Sequence, residues 1–547
     1  MKHILALSLM LVAAMAQARV QPAPWITDHM VLQRNRTNTL RGTADAGETV
    51  VASLAGRKYT AVADASGCWQ MPLPPMPAGG PHTLTLADRS YADVCIGDVW
   101  LCSGQSNMEL PVRRVMDMFA AEIEATVNPM CRLLKIERQP VYDGPAVAVQ
   151  TSGWQPLSAQ TSREFSALAY FYALEMHRAT GVPQGVVQAA VGGTPIEAWM
   201  SREALADYPE ALARLAINAD AGYRQGVEAY GALAGNRWER LVAEAEAALG
   251  MDWKSAAFDD SAWTELDVLE PDGAAAGLWS VDSLGCLNGA HWFRKRLTVS
   301  AAQALQPATL RLGCLVDADD VFVNGRHVGS TGYQYPPRIY AIPQGTLHEG
   351  ENVIAVRLLS QGGRGRFVAD KYRGIFFGDN PWLCGEHADR IDLDDTWRHF
   401  YAVPMPAKQG VPFFYYTPTV LFNGMVAPLA GMGFAGALWY QGESNTSRAR
   451  EYRGLLQRLM QCWRATLGCP DLGFGIVALA DFERPVTAGW RMVQQAQHDA
   501  AAADANAVCI SAADLGEWND IHPLDKKEVA RRLARAMMPF VADKNQR

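Results

Sequence analysis

The sequence is poor in charge and in cysteine. Only 19% of its 547 residues are charged, and 49 basic against 57 acidic side chains leave a net charge of −8. A chain without a basic excess has no general surface for nucleic acid, so no nucleic-acid partner is expected. Ten cysteines are too dilute for a disulfide scaffold, and none lies in the C-x-x-C spacing of a structural zinc site. We expect most of them in the core. One or two disulfides are the alternative, and Cys462 and Cys469 are a pair that lies close in the sequence.

The sequence patterns of common cofactor and metal sites are also missing. There is no H-E-x-x-H helix, no P-loop and no dinucleotide fingerprint of strand, turn and helix. The acidic cluster of Asp317, Asp319 and Asp320 lacks the glycine and the distal glutamate of a calcium-binding loop. We therefore expect no cofactor and no metal, and we interpret the three aspartates as turn residues.

Long apolar runs are absent, apart from a short one at the N-terminus. Residues 4–14 form an apolar run after Lys2, and residues 16–18 (AQA) fit the small-x-small rule for signal peptidase. This pattern predicts a signal peptide at residues 1–18 and a mature chain from Arg19. Because of this signal, we expect an exported protein, periplasmic or secreted. The run is too short to span a bilayer, so we expect no membrane span.

Changes in periodicity divide the rest of the chain, whose length predicts more than one domain. Short alternating runs between glycines predict a small antiparallel β-sandwich over residues 19–95. Strands alternating with helices predict an α/β domain with a parallel sheet in two parts, residues 96–236 and 406–547. Between them, residues 237–405 return to turns and short strands, which predicts an inserted β jelly roll.

Residues 97–109 (GDVWLCSGQSNME) place a serine, Ser106, on a tight turn directly after an apolar strand. A serine hydroxyl is nearly inert at neutral pH and needs a base beside it and amide donors in front of it. A turn from strand to helix exposes both the side chain and the backbone N–H. Ser106 is therefore a candidate nucleophile, although a serine in this position could equally cap a helix.

Two distant segments contain the groups that such a serine would need. Residues 441–445 (QGESN) follow the apolar run of residues 436–440, and residues 520–523 (DIHP) precede a charged helical pattern. His522 is the candidate general base, which would take the serine proton and later return it to a leaving group. The three blocks together indicate acyl transfer to water, and they can act together only if the two parts of the α/β domain meet.

These blocks resemble the SGNH hydrolase superfamily and, within it, the sialate O-acetylesterase-like branch of the carbohydrate esterases. Residues 192–199 (GGTPIEAW) look like the second glycine block of that branch, and all four blocks occur in the family's order. The resemblance extends to residues 28–33 (DHMVLQ) and 418–425 (PTVLFNGM). It implies an SGNH-type, flavodoxin-like, three-layer α/β hydrolase domain. The inserted jelly roll resembles galactose-binding-like domains.

The resemblance also implies roles for individual residues. Ser106 would attack an ester carbonyl and His522 would act as the base. The superfamily commonly places an aspartate three residues before the histidine, where this chain has Asn519, whereas Asp520 lies two residues before it. Asp520 is the candidate for the third member of a triad, and a cap of the following helix or a serine–histidine dyad are the alternatives. Substitutes for the acid are Asp514, Glu517 and Asp525.

The oxyanion donors implied by the family pattern come from three of the blocks. They are the backbone N–H of Ser106, that of Gly192 or Gly193, and a side-chain amide, with Gln441 favoured over Asn445. A glycine permits close backbone approach to the substrate. Gln105, Asn107 and Glu443 are expected to support these groups, because a carboxylate such as that of Glu443 would repel a developing oxyanion.

The predicted function is that of an exported serine esterase that removes O-acetyl groups from sugars through an acetyl-serine intermediate. The resemblance favours O-acetylated sialic acids, whose carboxylate calls for an arginine, and the candidates are Arg114, Arg163 and Arg338. Acetylated xylan or another hemicellulose is the alternative substrate. A non-catalytic glycan-binding protein is the alternative class, which the intact pair of Ser106 and His522 disfavours. The sequence does not indicate an oligomeric state.

Overall fold

The computed structural model describes residues 20–268, 280–281, 285–362, 365–385, 389–394 and 396–541. The predicted signal peptide lies outside these residues, so export stays a prediction. Within the described part of the chain, no helix is both long enough and apolar enough to cross a membrane.

Eight strands form the N-terminal part. They are β1 (Gln21–Pro22), β2 (Val31–Gln33), β3 (Asn38–Thr43), β4 (Thr49–Leu54), β5 (Arg57–Val62), β6 (Cys68–Leu73), β7 (Gly79–Leu86) and β8 (Arg89–Gly104). Strands β1, β3 and β6 make one small antiparallel sheet, and β5, β4 and β7 make a second one that continues into β8. In β4 and β6 every second residue is buried, as expected for strands with one face on a core.

Strand β8 connects the N-terminal sheet to the central sheet of the molecule. Its first part pairs with β7 and, around Ile96, with β2. Its second part, ending at Gly104, runs between two parallel strands of the central sheet. The domain boundary predicted between residues 95 and 96 therefore falls inside one continuous strand. The buried side chains of the N-terminal sheets and of the central sheet likewise form one hydrophobic core.

The remaining elements of the first α/β segment follow β8. They are α1 (Ser106–Glu109), α2 (Met116–Ala125), β9 (Val127–Lys135), β10 (Trp154–Ser158), α3 (Ala159–Ser162), α4 (Ala167–Thr180), β11 (Gln184–Ala190), α5 (Pro209–Ala219) and α6 (Ala221–Ala248). The helical apolar spacing of residues 166–179 predicts a helix and the continuous apolar run of residues 185–191 predicts a strand, and α4 and β11 lie within one residue of these bounds.

Residues 249–405, called the insertion below, contain fourteen strands and one short helix among the described residues. They are β12 (Thr264–Asp267), β13 (Ser280–Val281), β14 (Gly285–Cys286), β15 (Asn288–Val299), α7 (Ala301–Ala304), β16 (Ala308–Gly313), β17 (Leu315–Val316), β18 (Ala318–Val323), β19 (Arg326–Thr331), β20 (Arg338–Ile342), β21 (Gly350–Ser360), β22 (Arg366–Phe367), β23 (Arg373–Phe377), β24 (Arg390–Asp392) and β25 (Thr396–Met405).

The insertion has antiparallel sheets and its own core. Six strands are ordered β12-β25-β15-β21-β18-β19 and four are ordered β20-β16-β23-β24. A hydrophobic cluster separate from that of the α/β part fills the insertion. The pattern of residues 317–325 predicts a strand that ends in an Asn-Gly turn. This turn is confirmed, since Asn324 and Gly325 both have positive φ values, 49° and 82°, and connect β18 to β19.

The chain returns to the α/β part after the insertion. The elements are β26 (Gly436–Tyr440), α8 (Ala449–Leu467), β27 (Gly473–Val477), α9 (Ala488–Ala502), β28 (Ala507–Ile510) and α10 (Lys526–Met537). Short 3₁₀ or π turns among the described residues are Val112–Arg114, Ile196–Trp199, Phe414–Tyr416, Phe422–Val426, Ala427–Leu429, Glu443–Arg448, Ala513–Leu515 and Met538–Phe540.

The central sheet unites the two α/β segments in the order β10-β9-β11-β8-β26-β27-β28. Every neighbouring pair is parallel except β10 with β9. Helices cover both faces of the sheet. Successive residues of a strand point to opposite faces, and Phe474 and Gly475 of β27 therefore reach different helices. The Phe474 ring lies 6.0 Å from that of Trp463 on α8, whereas a Cβ atom at Gly475 would meet Leu533 and Met537 on α10.

Helix α6 and several ion pairs attach the insertion to the α/β part. Helix α6 crosses the boundary predicted at residues 236 and 237, and its Glu246 pairs with Arg357 of β21 at 2.7 Å. Arg311 of β16 forms a pair with Asp117 of α2 at 2.5 Å, and both side chains are almost completely buried. The insertion is therefore fixed against the domain that it interrupts.

The predicted turn aspartates lie in strands or beside one. Asp319 and Asp320 belong to β18 and pair with Arg338 and Arg357. The nine cysteines whose side chains the structure describes are all free thiols, and these include Cys462 and Cys469. Among the described residues there is also no cluster of three or more His, Cys, Asp or Glu side chains that could hold a metal ion.

Gly104 gives the first test of this architecture. Its φ is +138°, and an added Cβ would lie 2.1 Å from the carbonyl oxygen of Tyr440. We expect Gly104→Ala to lower the free energy of unfolding by at least about 2 kcal/mol, because the strained backbone and the clash add up. Urea unfolding measures this loss.

Gly47→Ala is the matched control for Gly104→Ala. Gly47 also has a positive φ, +81°, but its Cβ would meet nothing within 4 Å. Its expected cost is the backbone strain alone, about 1 kcal/mol. Equal losses in the two variants would contradict the close contact between β8 and β26.

Candidate active site

The predicted blocks meet at the carboxyl edge of the central sheet. Ser106 follows the end of β8, Gly192 lies just after β11, and Gln441 follows β26. These strands are neighbours in the order β11-β8-β26. After β8 the chain first adds β9, β10 and β11 on one side of this strand and then adds β26, β27 and β28 on the other side. In open α/β sheets, ligands bind outside the carboxyl ends of the strands at such a point.

The turn between β8 and α1 exposes Ser106. The backbone N–H of Gln105 donates to the carbonyl oxygen of Tyr440 at 3.1 Å, and that of Leu110 donates to the carbonyl oxygen of Ser106 at 2.7 Å. The strand is therefore held by β26 up to the residue before the serine, and the helix begins at the serine. This geometry places Ser106 at the wall of a cavity of about 760 Å³.

Six of the ten predicted site residues line this cavity. They are Gln105, Ser106, Gly192, Gly193, Glu443 and His522. Asn107, Gln441, Asn445 and Asp520 do not line it, and lie buried behind its wall. The structure thus brings the candidate nucleophile and the candidate base to one cavity, although they are 416 positions apart in the sequence.

His522 is only 6% exposed and is held from two sides. Its backbone N–H donates to Oδ1 of Asp520 at 2.9 Å, and its Nδ1 lies 3.6 Å from the same oxygen. The ring of Tyr335, from the insertion, contacts the imidazole edge-on with 5.0 Å between the ring centres. Nδ1 itself has no hydrogen-bond partner among the described residues, so a small rotation of the imidazole would be needed to bond it to Asp520.

Asp520 is the acid closest to His522, and it does not cap the following helix. Burial alone would raise its pKa, but the imidazole and backbone N–H of His522 and the charge of Lys371 outweigh burial, and the pKa of Asp520 is lowered. Nζ of Lys371, from the insertion, lies 3.4 Å from Oδ2 of Asp520 and 2.7 Å from Oε2 of Glu517. Asp520 is therefore held as a carboxylate at pH 7.

The substitutes for Asp520 have other partners. Asp514 forms an exposed ion pair with Arg532, and Asp525 accepts from the backbone N–H of Glu528 and so caps α10. The side chain of Asn519, at the position where the superfamily has its aspartate, donates to the carbonyl oxygen of residue 369 at 2.6 Å.

Glu443 is a second carboxylate near His522. Its Oε1 accepts from Nδ2 of Asn107 at 2.6 Å, and its Oε2 has no hydrogen-bond partner among the described residues. Burial raises the pKa of Glu443, while the hydrogen bond from Asn107 and the charges of His522 and Lys526 oppose the rise. Glu443 lines the cavity, and it connects the serine turn to the histidine loop through Asn107.

Lys526 completes this connection, and the sequence analysis missed it. Its ammonium group is completely buried and donates to Oδ1 of Asn107 at 2.7 Å and to the carbonyl oxygen of Pro523 at 2.6 Å. Burial lowers its pKa to about 7, although the charge of Glu443 opposes the shift. In the sequence, Lys526 is one of several charged residues of a helical pattern, and only its distance of four residues from His522 distinguishes it.

The structure does not bring the two predicted side-chain amides to the cavity. Nε2 of Gln441 lies within hydrogen-bond distance of Asn445 Oδ1, Gln105 Oε1 and the Thr194 carbonyl oxygen, at 2.8, 3.1 and 3.2 Å. Nδ2 of Asn445 donates to Glu197 at 3.0 Å. Because these donors already have buried partners, the two amides connect the turns after β8, β11 and β26.

The two glycines of the second block are close to the serine. A Cβ atom at Gly192 would lie 3.5 Å from Cβ of Ser106, and one at Gly193, where φ is +73°, would lie 1.8 Å from Oη of Tyr416. Only glycine fits at position 193, whereas a Cβ atom at position 192 would lie 3.1 Å from Oε2 of Glu109 and would displace that carboxylate slightly. The N–H of Gly192 donates to Oε2 of Glu109 at 2.6 Å, so a carboxylate oxygen already occupies one of the predicted oxyanion donors. Burial raises the pKa of Glu109.

Of the three predicted arginines, only Arg114 lines the cavity. Arg163 lies on the surface outside it. Arg338 is completely buried and pairs with Asp319 at 2.5 Å, so its role as a substrate contact is corrected to a structural one. The cavity has further basic residues that the sequence did not identify, and these are Arg113, Lys135 and Arg138.

The buried position of Lys526 makes the stability of the protein depend on pH. The unfolded chain binds a proton at Lys526 up to a pH near its ordinary pKa of 10.5, whereas the folded protein releases it near 7. Because the unfolded state binds more protons between these values, the contribution of Lys526 to the free energy of unfolding falls as the pH falls through this window. Relative to Lys526→Met, the wild type should gain stability from about pH 7.5 to about pH 9.5 in urea unfolding.

Lys58→Met, which removes an exposed lysine of β5, is the control for this measurement. It should differ from the wild type by the same amount at both pH values. A difference between wild type and Lys526→Met that is constant with pH would contradict the buried location of the ammonium group.

Comparison with known proteins supports the resemblance seen in the four blocks. Residues 96–229 and 415–539 match the family model described as carbohydrate esterase, sialic acid-specific acetylesterase. The sialate O-acetylesterase of Rattus norvegicus is 30% identical over 205 residues, and that of Homo sapiens is 31% identical over 206 residues. Each match covers 34% of this chain, and only 38% and 39% of these relatives.

A solved structure extends the similarity to nearly the whole fold. The crystal structure of a carbohydrate acetylesterase from Xanthomonas citri superimposes with a TM-score of 0.55 at 20% identity, and the match covers 95% of this chain and 74% of that chain. At this identity the match shows only the fold, which has mixed sheets. The two matched segments flank the insertion and contain all of the predicted site residues. Together they are similar to the carbohydrate esterases of the sialic acid-specific acetylesterase family.

Proposed function

We propose that the protein hydrolyses O-acetyl esters on sugars with Ser106 as nucleophile and His522 as general base. The observation that carries this proposal is that both residues line one cavity at the carboxyl edge of the central sheet. They come from segments on opposite sides of the insertion, and a protein without this chemistry has no need to bring them together. The similarity to sialate O-acetylesterases supports the same reaction class.

The reaction follows the general serine-hydrolase scheme. Oγ of Ser106 attacks the acetyl carbonyl carbon while His522 takes the hydroxyl proton. The tetrahedral intermediate collapses, the C–O bond to the sugar breaks, and His522 gives its proton to the leaving sugar oxygen. Water, deprotonated by His522, then attacks the acetyl-serine and releases acetate and the serine hydroxyl. The whole cycle needs no metal or cofactor.

Asp520 is the residue that we propose as the acid of this scheme. Its carboxylate is ionised, and the 3.6 Å between its Oδ1 and Nδ1 of His522 can close to a hydrogen bond when substrate tightens the site. Such a bond would fix the imidazole tautomer with Nε2 directed at the serine and stabilise the imidazolium. Glu443 is held by Asn107, and we propose that it positions the two loops.

For the oxyanion we propose the backbone N–H groups of Ser106 and Gly193. The N–H of Gly192 donates to Glu109 and becomes a donor to substrate only if that carboxylate leaves. Loss of one oxyanion donor costs about 2.7–4 kcal/mol of transition-state stabilisation. The buried amides of Gln441 and Asn445 would act indirectly, by fixing the turns that present these N–H groups.

The domain organisation that we propose follows the sequence prediction. The strand order β11-β8-β26-β27-β28, with helices on both faces, supports an SGNH-type, flavodoxin-like hydrolase core. The two N-terminal antiparallel sheets support a β-sandwich, and the six-stranded and four-stranded sheets of the insertion support a jelly roll. Since β8 and α6 cross the predicted boundaries, we place the divisions at the ends of these elements.

O-Acetylated sialic acid is the substrate that we propose, because four cationic side chains line the cavity against three carboxylates, those of Glu109, Glu164 and Glu443. Arg113 is paired with Glu164 at 2.8 Å, whereas the side chain of Arg114 has the carbonyl oxygen of Tyr335 as its hydrogen-bond partner. Nε of Arg114 is buried without a partner among the described residues. An arginine with free donors at a cavity wall is suited to bind the carboxylate of an acidic sugar.

Acetate release from O-acetylated sialic acid and from acetylated xylo-oligosaccharides tests the proposed function. Ser106→Ala should lower kcat/KM by about 10⁴-fold or more, since the nucleophile is lost. Arg114→Met should raise KM about tenfold more for the acidic sugar than for the neutral substrate, because only the acidic sugar loses a charged hydrogen bond. Both effects are measured with an acetate-coupled assay.

Two matched variants serve as controls. Ser103→Ala removes a buried hydroxyl of β8 that has no hydrogen-bond partner among the described residues, and Arg163→Met removes an arginine outside the cavity. Both should keep the wild-type kinetics. Release from xylan alone would keep the mechanism and replace the substrate, and unchanged turnover in Ser106→Ala would overturn the mechanism.

A further inference from the structure

Aromatic side chains from two distant parts of the chain line the cavity that contains Ser106. Tyr333 and Tyr335 lie in the insertion, between β19 and β20, with 6.4 Å between their ring centres. Phe413 and Tyr416 lie after the insertion, with 5.2 Å between their ring centres. The sequence analysis assigned none of these residues to the site.

In each pair, one ring touches the catalytic residues and the other is open to solvent. Tyr335 contacts His522 edge-on, and the hydroxyl of Tyr416 lies against Gly193. Tyr333 and Phe413, by contrast, are 57% and 58% exposed. Each pair therefore leads from the reacting centre to the mouth of the cavity.

The loop that carries the tyrosines is fixed in place. The buried guanidinium of Arg338 donates to the carbonyl oxygens of Gln334 and Pro336, at 3.2 and 2.6 Å, and so holds the residues on both sides of Tyr335. Arg114 donates to the carbonyl oxygen of Tyr335 itself at 3.3 Å. A loop with these contacts presents its rings without a large cost of ordering when a ligand binds.

Exposed aromatic rings inside a cavity are suited to a ligand with an apolar face. A pyranose ring has such a face, because its axial C–H groups cover one side while its hydroxyls point outward to water. Aromatic side chains supply large, rigid contact areas for such faces. The same cavity is lined by four cations that suit an acidic group, and these are Arg113, Arg114, Lys135 and Arg138.

We propose that Tyr333 and Phe413 form a subsite for the neutral pyranose that is linked to the acetylated sugar. The preferred substrate is then an acetylated residue within a glycan chain, and not the free monosaccharide. This inference rests on the proposed function, and it assigns the insertion a direct role in substrate binding. The cavity volume of about 760 Å³ is at the upper part of the range of small-molecule sites, which leaves room for more than one sugar ring.

The test compares pairs of substrates that differ only in the neutral neighbour. The pairs are O-acetylated sialyllactose with free O-acetylated sialic acid, and acetylated xylotriose with acetylated xylose. In the Tyr333→Ala/Phe413→Ala double variant we expect kcat/KM to fall about tenfold or more for the longer member of the pair that is hydrolysed. For the monosaccharide it should stay within about twofold, because the subsite lies outside the reacting centre.

Tyr230→Ala is the matched control for the double variant. Tyr230 is a tyrosine of α6 that is 60% exposed and does not line the cavity, so its removal should affect neither substrate. Equal losses on both members of a pair, or no loss on either, would overturn the subsite.

A binding measurement separates this inference from the proposed function. Calorimetric titration of Ser106→Ala protein with the unacetylated oligosaccharides needs no turnover. If the wild type releases no acetate from any substrate, weaker oligosaccharide binding after loss of Tyr333 and Phe413 would still support the subsite. Undiminished binding in the double variant would reject it. Acetate release with no preference for the longer substrates would leave the esterase proposal intact and reject the subsite.

Discussion

The parallel pairing of β8 with β26 is the interaction on which the candidate site depends. It pairs Gly104 with Tyr440, which lie on opposite sides of the insertion in the sequence, and a side chain at position 104 would not fit. The serine turn follows from this contact, because the strand is held until Gln105 and the helix begins at Ser106. With β11 on the other side of β8, three strand ends deliver the serine, the glycine pair and the QGESN turn to one place.

The insertion contributes to the site more than its separate core suggests. Lys371 approaches Asp520, and Asp370 accepts from the indole N–H of Trp518 at 2.9 Å, so the insertion holds the loop that carries His522. Tyr335 lies against the imidazole itself. The interrupting segment therefore positions the candidate base of the α/β domain, and buried ion pairs such as Arg311 with Asp117 fix the insertion to that domain.

Much of this arrangement could be predicted from the sequence, because short motifs at the ends of apolar strands fix local geometry. Strand β26 has the bounds of the apolar run of residues 436–440, and α10 lies in the charged helical pattern that follows residues 520–523. Two of the predicted domain boundaries fall inside β8 and α6, because these elements continue through a change in composition. A strand can pair with one sheet at its start and another at its end, and nothing in its sequence marks the change.

The orientation of polar side chains could not be predicted in the same way. Spacing along the chain placed Gln441 and Asn445 at the right turn, but whether an amide faces a cavity or a buried carbonyl depends on residues such as Thr194 and Glu197, far away in the sequence. Lys526 and the cavity aromatics were missed for the same reason. Each belongs to a segment that looks ordinary on its own, and each gains its role from a neighbour across the fold.

The central claim is that Ser106 and His522 form one activated nucleophile across the insertion. Reaction with a fluorophosphonate followed by peptide mass spectrometry tests it most directly, because such probes label serines that have an adjacent base. The account predicts a single adduct on Ser106 in the wild type and at least a hundredfold slower labelling, on the order expected for loss of a general base, in His522→Ala. An adduct on another serine, or equal labelling of Ser106 in both proteins, would contradict it.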